Sequence, residues 1–178
     1  NTSAKASMSI SKEDQEVVNS INLPIEYIAI VLGGEWDYRT YNKWSQVIEK
    51  ILVKDKQTNI VFIGSGNAKS IAKNLLSQFS ENNTFDCVAK YSFNQTAQII
   101  KQAQIFLCCD GGLMHSANAV NTTTVPLFAR LTPQMQLTNV INAHPLFDKT
   151  DVNNISAEAV LEKYNEAVSF VDNHPQDE

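Results

Sequence analysis

The 178-residue sequence predicts an α/β fold, a doubly wound parallel sheet forming one domain. Two observations carry that prediction. Five short apolar runs recur along the chain, and between them the hydrophobic pattern changes to a helical period. Strand and helix in regular alternation imply βαβ units, right-handed crossovers and helices on both faces of the sheet. The composition agrees, since 43% hydrophobic and 19% charged residues support a sizeable core and argue against global disorder.

The elements follow in order. Ile28-Ala29-Ile30-Val31-Leu32 is unbroken and β-branched, as a strand buried on both faces should be. Trp44, Val47, Ile48, Ile51 and Leu52 then fall on one face of a helix. Asn59-Ile60-Val61-Phe62-Ile63 is the second strand, closed by Gly64-Ser65-Gly66, and Ala68, Ile71, Ala72, Leu75, Leu76 and Phe79 stripe the next helix. Residues 85–89 form a weak third strand, and residues 95–104 a short helix with Ala97, Ile100 and Ala103 inward. Ile105-Phe106-Leu107-Cys108-Cys109 is the fourth strand, and residues 113–120 are helical. Residues 123–128 form the last clear strand. Pro126 within it cannot donate to a ladder, which makes that strand an edge or an interrupted one. Val140-Ile141 is a candidate for one more short strand. Ser156 caps a long helix striped by Ala157, Val160, Leu161, Tyr164, Ala167, Val168 and Val171. Residues 1–24 read as an N-terminal tail or linker with a short helix near 12–19, residues 25–172 as the domain, and residues 173–178 as a C-terminal tail.

A net charge of -5 with scattered lysines and arginines argues against a dedicated nucleic-acid binder, so no nucleic-acid partner is expected. No apolar run approaches the roughly 20 residues that span a bilayer, and residues 1–12 carry no signal-peptide pattern. Adjacent Cys108 and Cys109 point to opposite faces of a strand and read as small core side chains, consistent with a reducing, cytoplasmic setting. No His/Cys cluster has zinc spacing, and no Asp-x-Asp pair follows a strand, so no metal site is expected. The absence of Gly-x-Ser-x-Gly disfavours an α/β-hydrolase.

Ligands of open parallel sheets bind beyond the carboxyl ends of the strands. That rule nominates residues 33–43, 64–67 and 110–115. In the last of these a buried strand meets Gly111 and Gly112 and a helix begins, presenting free N–H groups suited to phosphate, with His115 in its first turn. The same residues also fit a plain turn in which Asp110 caps the helix. Gly64-Ser65-Gly66 has neither Walker nor dinucleotide spacing and reads as a plain turn. The long aromatic loop holding Glu35, Trp36, Tyr38 and Arg39 is of a kind that is more often functional. Lys43, at the start of a helix, opposes the dipole and either serves an anionic partner or is simply solvated.

In this order the motifs resemble the C-terminal half of family 9 glycosyltransferases, the ADP-heptose-using lipopolysaccharide heptosyltransferases. Gly33-Gly34 through Lys43-Trp44 matches the family's Gly-rich loop ending in Lys-Trp, Asp110-Gly111-Gly112-Leu113-Met114-His115 its Asp-Ser/Thr-Gly-x-x-His, and Leu127-Phe128-Ala129 its Leu-Phe-Gly. Tyr91-Ser92-Phe93 resembles the stretch beside the base. The resemblance implies a GT-B fold, two Rossmann-like domains of which this chain is the donor-binding one. It implies no catalytic residue in this chain and no cofactor. Its donor contacts would be Lys43, Asp110, Gly111, Gly112, His115, Gly33, Gly34, Arg39, Tyr91, Ser92 and Asn67.

Lys43, His115 and the helix start at Gly111 would hold the diphosphate of an ADP-heptose-like nucleotide sugar without metal. The N-terminal acceptor domain, absent here, would supply the carboxylate base. The implied setting is bacterial surface-glycan synthesis, with a glycolipid acceptor at the cytoplasmic side of an inner membrane. Three positions depart from the family. Gly111 lacks the hydroxyl, Ala129-Arg130 replaces the usual Gly-Pro or similar pair although Thr132-Pro133 after it are present, and the acidic residues after the second strand are replaced by Asn67, Ala68, Lys69 and Ser70. The alternative reading is a degenerate, non-catalytic binding module of the same fold.

Overall fold

A computed structural model describes residues 7–137 and 141–175. Six strands form one sheet in the order β3-β2-β1-β4-β5-β6: β1 (Ile28–Val31), β2 (Ile60–Ile63), β3 (Thr84–Asp86), β4 (Ile105–Cys109), β5 (Thr123–Ala129) and β6 (Leu146–Asp148). Every neighbouring pair is parallel. The helices are α1 (Lys12–Asn19), α2 (Trp44–Lys54), α3 (Lys69–Gln78), α4 (Phe93–Gln102), α5 (Gly112–Ala119), the short α6 (Pro133–Gln136) and α7 (Ala157–Asn173).

Successive strand side chains point to opposite faces, and this splits the core in two. Ile28, Ile30, Phe62 and Leu107 face α2, α3 and α7, whereas Ala29, Val61, Ile63, Phe106 and Cys108 face α1, α4 and α5. The expected stripe of α2 is entirely buried: Trp44, Val47, Ile48, Ile51 and Leu52. Tyr41 packs edge-on to Trp44 and donates its hydroxyl to Ile155 O at 2.9 Å, tying the start of α2 to the approach to α7.

Several elements differ from expectation for identifiable reasons. Helix α4 begins at Phe93 because Ser92 and Gln95 form a capping box, each side chain bonding the other's N–H at 3.1 and 3.0 Å. Strand β3 ends at Asp86, whose carboxylate takes the Val88 N–H at 3.0 Å and turns the chain. Strand β5 is not an edge. It lies between β4 and β6, and the interruption falls on its β6 side. Thr124 bonds that side through both backbone groups, to Asn142 O and His144 N, and the next residue facing the same way is Pro126. The ladder with β6 resumes at Leu127 opposite Leu146. The outermost strand is therefore 146–148; of the expected Val140-Ile141 strand, Val140 lies outside the described residues and Ile141 is in a turn. The segment expected as a tail packs as far back as Ile10. Helix α1 buries Val18 against the core of the α4 face, and Asp14 accepts from Gln95 Nε2 at 3.2 Å.

Candidate functional site

The chain order of the sheet runs outward from β1 through β2 to β3, then returns to the other side of β1 for β4 to β6. At such a switch point the loops leaving the two central strands part, and a crevice opens at their carboxyl ends. A cleft of about 640 Å³ lies there, within the range of small-molecule sites.

Four loops wall it. From β1 come Gly33, Gly34, Glu35 and Arg39, and from β2 Gly64, Ser65, Gly66 and Asn67. The β3–α4 connection brings Ala89 and Tyr91, with Phe93 and Thr96 from the start of α4; the β4–α5 turn brings Asp110 and Gly111, flanked by Cys109 and Gly112. Gly33 and Gly64 hold φ of +76° and +151°, where a side chain is strained. They also let the first two loops touch: a Cβ on Gly64 would lie 2.6 Å from Leu32 O. Asn67 clamps the pair by donating Nδ2 to Gly34 O at 2.9 Å and accepting the Ser65 hydroxyl at 2.9 Å.

On the opposite wall, α5 starts at Gly112 and points its N-terminus at the cleft. Its first N–H groups have no partner within the helix, and Gly112, Leu113 and Met114 line the cavity. Gly111 occupies the cap position without a side-chain cap, so Asp110 is not the cap that a plain turn would use. Asp110 is instead nearly buried, with its N–H on Leu127 O at 3.0 Å, and no hydrogen bond to its carboxylate is made among the described residues. A Cβ on Gly111 would meet nothing within 4 Å. Beside it burial pushes the Cys109 thiol up to about 12, against the opposing Tyr41 backbone N–H.

Of the eleven expected site residues, eight line the cleft: Gly33, Gly34, Arg39, Asn67, Tyr91, Asp110, Gly111 and Gly112. Lys43, Ser92 and His115 are not in its wall. Ser92 is the α4 cap, and His115 is exposed on α5. Lys43 sits at the cap of α2, and its charge is the least of the influences that lower the Glu158 carboxylate at the start of α7, after that residue's own backbone N–H and Lys50 at 3.2 Å. Gly64-Ser65-Gly66, expected as a plain turn, belongs to the cleft wall. No phosphate-loop spacing marks it, and only its place after a central strand could have. Four further residues complete the wall: Glu35 from the β1 loop, Phe93 and Thr96 from the first turn of α4, and Cys109 from the end of β4. Among the described residues, no group of three or more His, Cys, Asp or Glu side chains could hold a metal ion, and no helix is long and apolar enough to cross a membrane.

Sheet order, flanking helices and the switch-point cleft define a Rossmann-like α/β domain of the kind that makes up half of a GT-B glycosyltransferase. The chain belongs to glycosyltransferase family 9 (heptosyltransferase), whose profile matches residues 2–159 and so takes in α1 as well. Among solved structures, a family 9 glycosyltransferase from Veillonella parvula superposes with a TM-score of 0.80 at 16% identity, over 96% of this chain and 56% of that one. The ADP-heptose lipopolysaccharide heptosyltransferase II of E. coli gives 0.77 at 16% identity, over 93% and 54%. The E. coli heptosyltransferase WaaC with ADP-2-deoxy-2-fluoro heptose gives 0.68 at 19%, over 85% and 47%. The chain thus spans about half the length of the structures it matches. No curated protein is similar enough in sequence to count as a match.

Proposed function

We propose that this chain is the donor-binding half of a heptosyltransferase-like enzyme, holding a nucleotide diphosphate sugar for transfer to a bacterial surface glycan such as lipopolysaccharide. The observation that carries the reading is the α5 N-terminus opening into the switch-point cleft beside the bare Gly111. Unpaired N–H groups and the positive helix end favour a phosphate there. Tyr91 and Phe93, also in the cleft wall, offer aromatic surface for a base.

The same groups serve the chemistry. As the glycosidic bond to the sugar breaks, negative charge grows on the departing diphosphate, and fixed N–H dipoles already aimed at it lower the barrier. A carboxylate from a second domain takes the acceptor hydroxyl proton. The bound donor is of the ADP-heptose type, as in the WaaC structure, and binding needs no divalent cation. Asp110 binds the donor and is not the base.

The test is calorimetric titration of the folded chain with ADP and with UDP, each without and with magnesium. Metal-independent binding of ADP is expected. Silence from both nucleotides in a folded sample would replace this reading with that of a fold retained without its donor site.

A further inference from the structure

Arg39 and Arg130 are the chain's two arginines, 91 positions apart in sequence, and both stack on Tyr38. Arg39 Cζ lies 5.4 Å from the ring centroid and Arg130 Cζ 3.7 Å. Tyr38 and Arg39 belong to the 3-10 turn after β1, and Arg130 follows the last residue of β5, so the fold gathers them at the carboxyl edge of the sheet. Arg130 holds its place through a positive φ of 70°, its N–H on Asp148 O at 3.3 Å and its Nε on Thr150 O at 3.3 Å.

Neither arginine forms an ion pair among the described residues, although the chain is acidic overall. Arg39 Nε is also shielded from solvent without a hydrogen-bond partner. A buried guanidinium N–H left unpaired costs free energy, and two cations sharing one ring repel each other. An anion in the cleft beside Arg39 offsets that repulsion and gives the unpaired cation a partner. Arg39 lines that cleft, as does the N-terminal turn of α5, whereas Lys43 is not in its wall.

We propose that Arg39 is the residue that grips the diphosphate of the donor, in the role that motif order assigns to Lys43, and that Tyr38, pinned by Arg130, positions it. This rests on the donor-site reading above. The planar fork matches two phosphate oxygens at once, which an ammonium group cannot do. Arg130 is not in the cleft wall; it acts by holding the ring on which Arg39 leans.

The experiment is titration of the 178-residue chain with ADP and, separately, with inorganic diphosphate, over a range of salt concentrations. Arg39→Ala is expected to weaken both ligands roughly tenfold or more and to flatten the salt dependence, while Lys43→Ala changes either by less than about threefold. Arg39→Lys, which keeps the charge and is the safer variant for folding, is expected to regain only part of the loss. Tyr38→Phe keeps the ring and binds like the parent, whereas Tyr38→Ala weakens both ligands without flattening the salt slope. A parent chain that binds while Arg39→Ala binds equally well overturns this assignment alone, as does an equal or larger loss at Lys43→Ala. A parent chain that binds neither ligand overturns the donor-site reading and this inference with it.

Discussion

Asn67 Oδ1 occupies the space a side chain on Gly33 would need: a Cβ built there lies 2.8 Å from it, and 3.1 Å from the Ala68 Cβ. Two loops separated in sequence by α2 and β2 are thereby locked at the floor of the cleft. Gly33→Ala adds the strain of a side chain at φ +76° to that clash. It should destabilise the fold by about 1–3 kcal/mol in urea denaturation. Asn67→Ala removes the clashing oxygen together with the Gly34 and Ser65 hydrogen bonds. The double variant should therefore cost less than the sum of the two single ones, and strict additivity would show that the loops are not in contact.

Gly111→Ser tests the opposite wall. The backbone at 111 is extended, with φ 167°, and a Cβ there meets nothing, so serine enters without strain. A hydroxyl at a helix cap is worth only a few tenths of a kcal/mol over glycine, and stability should move by about that much. Affinity is the sharper readout. If a phosphate sits on the α5 N-terminus, the added hydroxyl gives it another donor, and ADP should bind several-fold tighter in calorimetry. Unchanged affinity would place the phosphate elsewhere.

Which parts of this architecture were legible in the sequence follows from what each signal measures. The apolar runs and stripes report burial, and those around Ile28, Trp44, Ile60, Ile105 and Ala157 were buried as their periodicity required. Capping and turn chemistry acts over three or four residues against a weak background, so apolar periodicity alone starts α4 two residues late and does not locate β6. Pro126 could be read as a break in pairing. That the break faces β6, with β5 inside the sheet, depends on a partner strand lying about twenty residues further on. The same distinction governs the site. Gly111 and Gly112 announce a turn locally, but the meeting of Arg39 with Arg130 is set by strand order alone, and no local spacing encodes it.

Acid should act partly through Asp148. Its carboxylate accepts the N–H groups of Thr150 and Asp151 at 2.9 and 3.1 Å, as well as Asn154 Nδ2 and the Thr150 hydroxyl. Those donors, the Thr150 N–H first, lower its pKa from 3.8 to about 2. A depressed folded-state value stabilises the fold above the unfolded pKa, and that contribution is lost as pH falls from about 4 to about 2. Asp148→Asn should lower stability at neutral pH and flatten the dependence across that window. A denaturation series between pH 2 and 6 measures it, and an unaltered slope would mean the turn does not hold the charge.

Thiol chemistry offers a probe of the cleft that needs no assumption about the sugar. Burial raises Cys87 to about 11 and Cys109 to about 12, and holds Cys108 well above its ordinary value. At pH 8 a thiol titrating near 12 is ionised in about one molecule in 10⁴, and the thiolate is the reactive form. All three should therefore alkylate slowly in the native chain and quickly once it unfolds. Cys109 differs from the others in lining the cleft and being only half-buried by surface area, so access favours its reaction even though Cys87 ionises at a lower pH. Saturating ADP should slow that reaction while leaving Cys87 and Cys108 at their own rates, which peptide mass spectrometry resolves. Equal protection of all three would indicate general tightening of the fold, and no protection at Cys109 would indicate that the nucleotide does not reach the β4–α5 turn.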